Sequence, residues 1–407
     1  MLFFLLSACS EDITVEFGDT ADLETTLETN EVTFYEDVRP VLDRTCNQCH
    51  WESGRSFSMI DHTYPVVWAS TLARDLVDGG KPPPTPDPTC ADYVGGEWHL
   101  RQDDIDLIVR WVEDETPIGD PNNAPEYTHW PSIGEADQIL RPVESFSVPR
   151  TEGYRCFAFE TDLASIGAVQ FETDNEELIH HSLLYLGDPA YEVPSDAEQG
   201  FDCFYSGREE WKLLSAWRPG APSLELTSGV SVSPETKLIM QVYYTPPVGV
   251  GPQEESVVEP SYSWNVQDGF DGGVFLHRSE ITDFRIPADS SEHREDGIMV
   301  WNGGPATIMG LIPRTHLLGI EVGASLHYAN GGTECLLSQN GYDFGMPHNI
   351  MFKEGLPIAD GDSIRYHCSW DNSDGNLRQT KHPPVTVQSG YGVEDAVCQM
   401  NFIVKPD

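Results

Sequence analysis

Basic residues are scarce in this chain. Its 407 residues include 23 Lys and Arg against 67 Asp and Glu, a formal net charge of -44. Affinity for nucleic acid comes largely from cationic side chains that displace counterions from phosphate, so that class of partner is effectively excluded. Attraction to anionic lipid by charge is excluded on the same ground. Long apolar runs are missing too: no stretch reaches 18 apolar residues, so no segment reads as a membrane-spanning helix. What is present suffices for a core. Hydrophobic residues make up 39% and aromatics 10%, which argues against disorder throughout. The 35 Gly and 30 Pro are many for a helical protein and imply frequent turns. At about 100–200 residues per domain, the length suggests two to four domains.

The N-terminus sets the compartment. Met1 to Ala8 is a short apolar run, and Leu6-Ser7-Ala8-Cys9 resembles the lipobox of bacterial lipoproteins, in which the Cys receives a lipid after export. No Lys or Arg precedes the run, as the n-region of a signal peptide would supply. The alternative is an apolar N-terminus with an unmodified Cys9. Residues 10–31 hold eight acidic residues and no basic one, the composition of a solvated tether. Nine Cys also fit an oxidising compartment. The expected location is therefore lipid-anchored in a bacterial envelope, facing the periplasm or exterior.

Cys46-Asn47-Gln48-Cys49-His50 is C-x-x-C-H, the attachment motif of c-type haem. The thiols form thioethers to the porphyrin, and His50 is placed to ligate the iron. A zinc half-site would want a second close pair, and none exists. A redox dithiol would leave His50 unexplained. The apolar spacing at Val38, Val41 and Leu42 predicts a short helix over 38–46. Ile105, Ile108, Val109 and Val112 predict a helix over 102–115, closed by Pro117. Residues 32–120 thus resemble a small α-helical cytochrome c domain. Lys81-Pro82-Pro83-Pro84 stands where such modules carry Met-Pro-Pro-Trp, which leaves Met59, His62, Lys81 and His99 as candidates for the sixth ligand.

From about residue 140, short runs such as 182–186, 237–244 and 362–370 alternate with Gly, Pro, Asn and Asp clusters and predict strands of β-sandwiches. The expected fold class is mainly β. Ordered motifs follow: Tyr154-Arg155-Cys156-Phe157, Ile179-His180-His181-Ser182, Cys203, Ala216-Trp217-Arg218-Pro219-Gly220, Gln241-Val242-Tyr243-Tyr244, Thr315-His316-Leu317-Leu318-Gly319, Glu334-Cys335-Leu336 and Asp371-Asn372-Ser373. Their order resembles the copper type II, ascorbate-dependent monooxygenases, the family of the peptidylglycine and dopamine hydroxylases. The resemblance implies two consecutive jelly rolls, at 140–272 and 273–407. It also implies one copper in each, with oxidoreductase chemistry that hydroxylates a C–H bond with dioxygen.

The implied copper ligands are half present. His180 and His181 match the paired histidines of the first site, but Tyr243 stands where the third His belongs. In the second site His316 matches, whereas Arg314 and Val397 replace a His and a Met, with Met400 nearby. Arg does not deprotonate and is a poor metal ligand. Zero or one copper per chain is therefore expected, and enzymatic turnover is an open question. The other expectation is an electron-transfer or binding protein on the same scaffold, with eroded copper sites. Expected partners are a reductant or electron-transfer protein and a small-molecule or peptide substrate, with membrane contact only through a lipid. His180 and His181 on one strand would ordinarily point to opposite faces, one packed and one solvated, unless the backbone bulges. The resemblance further implies disulfides Cys156–Cys203 and Cys368–Cys398, leaving Cys90 and Cys335 paired or free.

Overall fold

Runs rich in Val, Ile, Leu and aromatics, broken by Gly, Pro and Asp, fold here into antiparallel sheets, and the chain is mainly β. The computed structural model describes residues 31–51, 57–79, 85–148, 153–174, 178–188, 199–203, 208, 210–245, 256–270, 273–392 and 394–407. Cys9, the acidic segment up to residue 30, and Lys81 lie outside the described residues.

Residues 138–268 supply two main sheets. One has the order Phe201–Asp202, Gly153–Phe159, Lys237–Tyr244, Ile179–Gly187, Lys212–Trp217. The other runs Gln138–Leu140, Tyr262–Asp268, Ser165–Thr173, Leu224–Ser231. Phe157, Leu184, Met240 and Val242 from the first meet Val169, Phe171 and Trp264 from the second in a common core. Residues 275–406 supply another pair of four-stranded sheets. Phe275–Ile281, Cys398–Pro406, Ala306–Thr315 and Ile350–Ile358 form one, and His293–Val300, Ser363–Trp370, Gly319–His327 and Thr333–Asn340 the other. Leu311, Val322, Ile364, Trp370 and Phe402 lie in their core. The strand expected at 237–244 has those bounds, and those expected at 182–186 and 362–370 fall within or at the edge of Ile179–Gly187 and Ser363–Trp370.

Helices Arg39–Thr45, Thr63–Val67, Ala69–Val77 and Gln102–Glu113 precede the sheets. They enclose Phe34, Leu42, Met59, Leu76, Ile108 and Trp111. The first helix is shorter than 38–46, because a π-helical turn, Phe34–Val38, leads into it. The last helix starts well: the Asp104 carboxylate accepts the Arg101 backbone N–H at 2.9 Å, and Asp103 adds negative charge at the positive end of the dipole. Its core face corrects the expected one. Trp111, not Val109, is fully buried, and its indole N–H donates to the Pro117 carbonyl at 2.9 Å.

Three disulfides are present. Cys156–Cys203 and Cys368–Cys398 pair as the resemblance implied, and Cys90 bonds to Cys335 across 245 residues of sequence. That third bridge fastens the segment before the last helix to strand Thr333–Asn340. Tyr93 reinforces it, buried in the core of residues 275–406 with its hydroxyl donating to the Leu336 carbonyl at 3.1 Å. The disulfides are compatible with export. Among the described residues no helix is long and apolar enough to cross a membrane. Replacing Cys90 and Cys335 together by Ser should lower stability by about 2–5 kcal/mol, measured by denaturant unfolding. A non-reducing peptide map that linked Cys90 elsewhere would contradict the pairing.

Candidate functional site

The C-x-x-C-H motif caps the first helix. The Cys46 N–H donates to the Leu42 carbonyl at 2.8 Å and the His50 N–H to the Cys46 carbonyl at 2.9 Å, a tight turn that brings both thiols and the imidazole to one helix end. Cys46 and Cys49 take part in none of the disulfides. Burial pushes the Cys46 thiol up to about 11. His50 Nδ1 lies 3.0 Å from the Phe57 carbonyl oxygen. A carbonyl only accepts, so Nδ1 is the donor in this contact.

The sixth-ligand candidates lie as follows. Met59 packs in the helical core. His62 Nδ1 is 2.9 Å from the Tyr35 hydroxyl, and His99 Nδ1 is 2.9 Å from the Thr85 hydroxyl. Sequence reasoning passed over the segment that covers the motif. Tyr127 donates its hydroxyl to the Asn47 carbonyl at 2.6 Å, His129 lies against Trp51 at 4.6 Å between ring centroids, and the Trp130 indole donates to the Gly220 carbonyl at 2.9 Å. An aromatic cluster in an otherwise acidic linker was the available signal.

The histidine pair sits on the five-stranded sheet. Register between Ile179–Gly187 and Lys237–Tyr244 shifts between Ile179 and His181, so His180 is the extra residue of a bulge. The bulge removes the strict alternation, and the rings meet with Nδ1 to Nδ1 at 3.3 Å. Next door, the Ser182 hydroxyl donates to the Gln241 carbonyl at 3.0 Å and accepts the Trp264 indole N–H at 2.9 Å. That buried chain pins the strand beside the bulge. Tyr243 is stacked on His181 at 5.0 Å.

The lid over the pair comes from the second half of the chain. Phe344 lies 6.4 Å from His181, 6.1 Å from Tyr243 and 6.2 Å from His316 between ring centroids, so it touches all three. Gly345 follows where no side chain fits: a Cβ there would stand 2.5 Å from His180 Cε1. Asn349 completes the seam, accepting the Ala216 N–H and donating to the Ser215 hydroxyl, each at 3.0 Å. A cavity of about 420 Å³ opens alongside, lined by Tyr154, Tyr243, His316, Phe344, Trp370 and Lys381 among others.

Electrostatics disfavour charge on these rings. Burial lowers His181 well below the usual imidazole range, helped by His180 and by the Arg314 guanidinium. Burial, then Arg314, takes His316 down to about 3. Arg314 itself is buried. Val397 and Met400 are buried too, Met400 in the core of residues 275–406. Among the described residues no three His, Cys, Asp or Glu side chains gather around one point that would hold a metal. The structure thus brings together His180, His181 and Tyr243, and sets His316 behind Phe344.

No family model matches the chain, and no curated protein matches it. Similar solved structures include that of infectious bursal disease virus Gx strain, 10% identical over 68% of this chain and 75% of that chain, with a TM-score of 0.18. Another is the N-terminal CBM22-1-CBM22-2 tandem domain from Paenibacillus barcinonensis Xyn10C, 7% identical over 65% and 82%, with a TM-score of 0.15. At such scores neither bears on this chain.

His316 makes a pH prediction. Its folded pKa lies below the unfolded value of about 6.5, so the unfolded chain binds the extra proton as acid is added. Stability from this group is full above that value and is lost as pH falls towards about 3. His316→Gln should therefore lose less stability than the unsubstituted chain between about pH 7 and pH 4. Parallel pH profiles of the urea midpoint would show that His316 is not held neutral by burial.

Proposed function

We propose that the chain is an exported c-type haem protein joined to a scaffold like that of the copper type II, ascorbate-dependent monooxygenases, with two jelly rolls and zero or one copper. The observation that carries the haem reading is the His50 Nδ1 contact with the Phe57 carbonyl. It places the ring proton on Nδ1, so that in the neutral imidazole Nε2 would be the nitrogen offered to a metal, as second-shell carbonyls arrange for ligating imidazoles. Two thiols on the same turn supply the attachment points. The surroundings suit a porphyrin. Phe57 lies 5.0 Å from the His50 ring and Tyr64 lies 5.5 Å from Phe57, while Tyr64, Val67 and Trp68 leave half or more of their surface uncovered. Haem supplies reversible one-electron chemistry when bound.

For copper the fit is partial. Two nitrogens 3.3 Å apart match one edge of a tetrahedral site with bonds of about 2.0 Å. Tyr243 fills the place of the third imidazole, and Arg314 puts a cation where the second copper would sit. These replacements favour the second reading, an electron-transfer or binding protein without monooxygenase turnover, in which the cavity beside His316 takes a small-molecule or peptide ligand. If one copper binds, it supplies one-electron chemistry, and His180 and His181 hold it.

One preparation tests both parts. Made in a host with a c-type maturation system, the protein should keep its Soret band through acid–organic extraction. Freely extracted haem would refute covalent attachment. Metal analysis should return zero or one copper per chain, and Arg314→His with Val397→Met should raise it. Two tight coppers in the unsubstituted protein, with ascorbate-driven hydroxylation, would restore the full monooxygenase. Lipidation at Cys9 belongs to the same proposal: Cys9→Ala should release the protein from the membrane fraction, and equal retention would count against it.

A further inference from the structure

Arg218 has a peculiar position. It follows strand Lys212–Trp217, and its Nη1 lies 3.9 Å from Cys49 Sγ and 3.3 Å from the Pro219 carbonyl oxygen. The Cys49 thiol donates to that same carbonyl at 3.0 Å. The contact is close packed. Gly220, at φ +76°, would place a Cβ 2.5 Å from Cys49 Sγ and 2.8 Å from the Gln48 carbonyl oxygen. Arg218 Nε is sealed from water without a hydrogen-bond partner. The other charges near the motif are paired: Asp43 with Arg39, and Asp104 with Arg44. Among the described residues no carboxylate pairs with Arg218, although acidic residues outnumber basic ones 67 to 23. A part-buried cation without a counter-charge is costly.

Its field is felt nearby. His348 shares with Arg218 a small pocket of about 50 Å³ and is lowered to about 4, by burial first and by Arg218 second. We infer that Arg218 is the charge by which the β part of the chain raises the reduction potential of the haem on Cys46 and Cys49. This rests on the haem reading above. Attachment adds each thiol across a porphyrin vinyl group. The S–C bond forms, the thiol hydrogen moves to the neighbouring vinyl carbon, and no oxidant is needed. Cys49 then has no proton to donate, and Arg218 Nη1 remains as donor to the Pro219 carbonyl. Ferric haem carries one more positive charge than ferrous haem. A fixed guanidinium against the thioether therefore disfavours the ferric form and moves the potential upward.

The test is a spectroelectrochemical titration of the matured holoprotein and its Arg218→Gln and Arg218→Lys variants. Arg218→Gln should shift the ferric–ferrous equilibrium about tenfold towards ferric, a fall of roughly 59 mV for one electron. Arg218→Lys, which keeps the charge, should stay near the unsubstituted value. Arg218→Met keeps the stem without the charge and reads the same shift if the Gln variant does not accumulate. An unchanged midpoint in a charge-removing variant that carries covalent haem would overturn the inference. So would a fall in Arg218→Lys as large as in Arg218→Gln. Absence of covalent haem from the unsubstituted protein would instead overturn the haem reading itself.

Discussion

Strand Lys237–Tyr244 is covered on both faces, and the histidine site depends on that. Leu238, Met240, Val242 and Tyr244 enter the core of residues 138–268. On the opposite face, Ile239 packs with Ile312 from the second half of the chain, and Tyr243 meets Phe344. A strand with apolar cover on both sides cannot slip by one residue without exchanging its two faces. Its register therefore fixes Tyr243 opposite His181. The bulge at His180 then does what regular pairing cannot, turning two adjacent imidazoles towards one another. The second half of the chain closes the arrangement with Phe344 and Gly345, so the site exists only where the two halves meet.

Charge tells a complementary story. In a chain with net charge -44, a cation held inside is conspicuous. Arg314 lies near His181 and His316 and lowers both. A guanidinium near both rings would add repulsion to any metal cation brought to them. Neutral imidazoles are good ligands, so the depressed basicity of the pair does not by itself oppose metal binding. The difficulty is the count of donors and the resident positive charge, both of which follow from single side chains.

Much of this was legible in the sequence, though unevenly. C-x-x-C-H announces itself because its three reactive groups are contiguous, and a helix end brings contiguous residues together without tertiary help. The strand at 237–244 was readable because turn residues bracket an apolar run. Other features were not. Whether His180 and His181 diverge or converge hangs on one inserted residue in the pairing, and a bulge has no side-chain signature when the inserted residue is itself the histidine. Phe344-Gly345 carried no signal, since its partners His181 and Tyr243 lie more than 100 positions away. Val109 was taken for a core residue by helical spacing, yet Trp111 displaced it. A large ring with a donor gains more from burial when Pro117 offers a carbonyl.

The helical segment is held at two distant points, and the pair of attachments limits how its motif can move. Cys90–Cys335, with Tyr93 beside it, fastens the segment to residues 275–406. Cys49, by way of Pro219 and Gly220, fastens it to residues 138–268. Those two β regions are themselves joined by Asn349 across Ser215 and Ala216. The three contacts form a closed loop of constraints, so a shift at any one must be taken up by the other two. Cys49 thus sits at a seam rather than on a free surface. Strand Lys212–Trp217 leads directly into Arg218 and Pro219, and its Trp217 pairs with Ser182, the residue after His181. The group proposed on Cys49 and the histidine pair are therefore linked through one short loop and one strand pairing, which makes loop 218–220 the part of the fold on which any communication between them must turn.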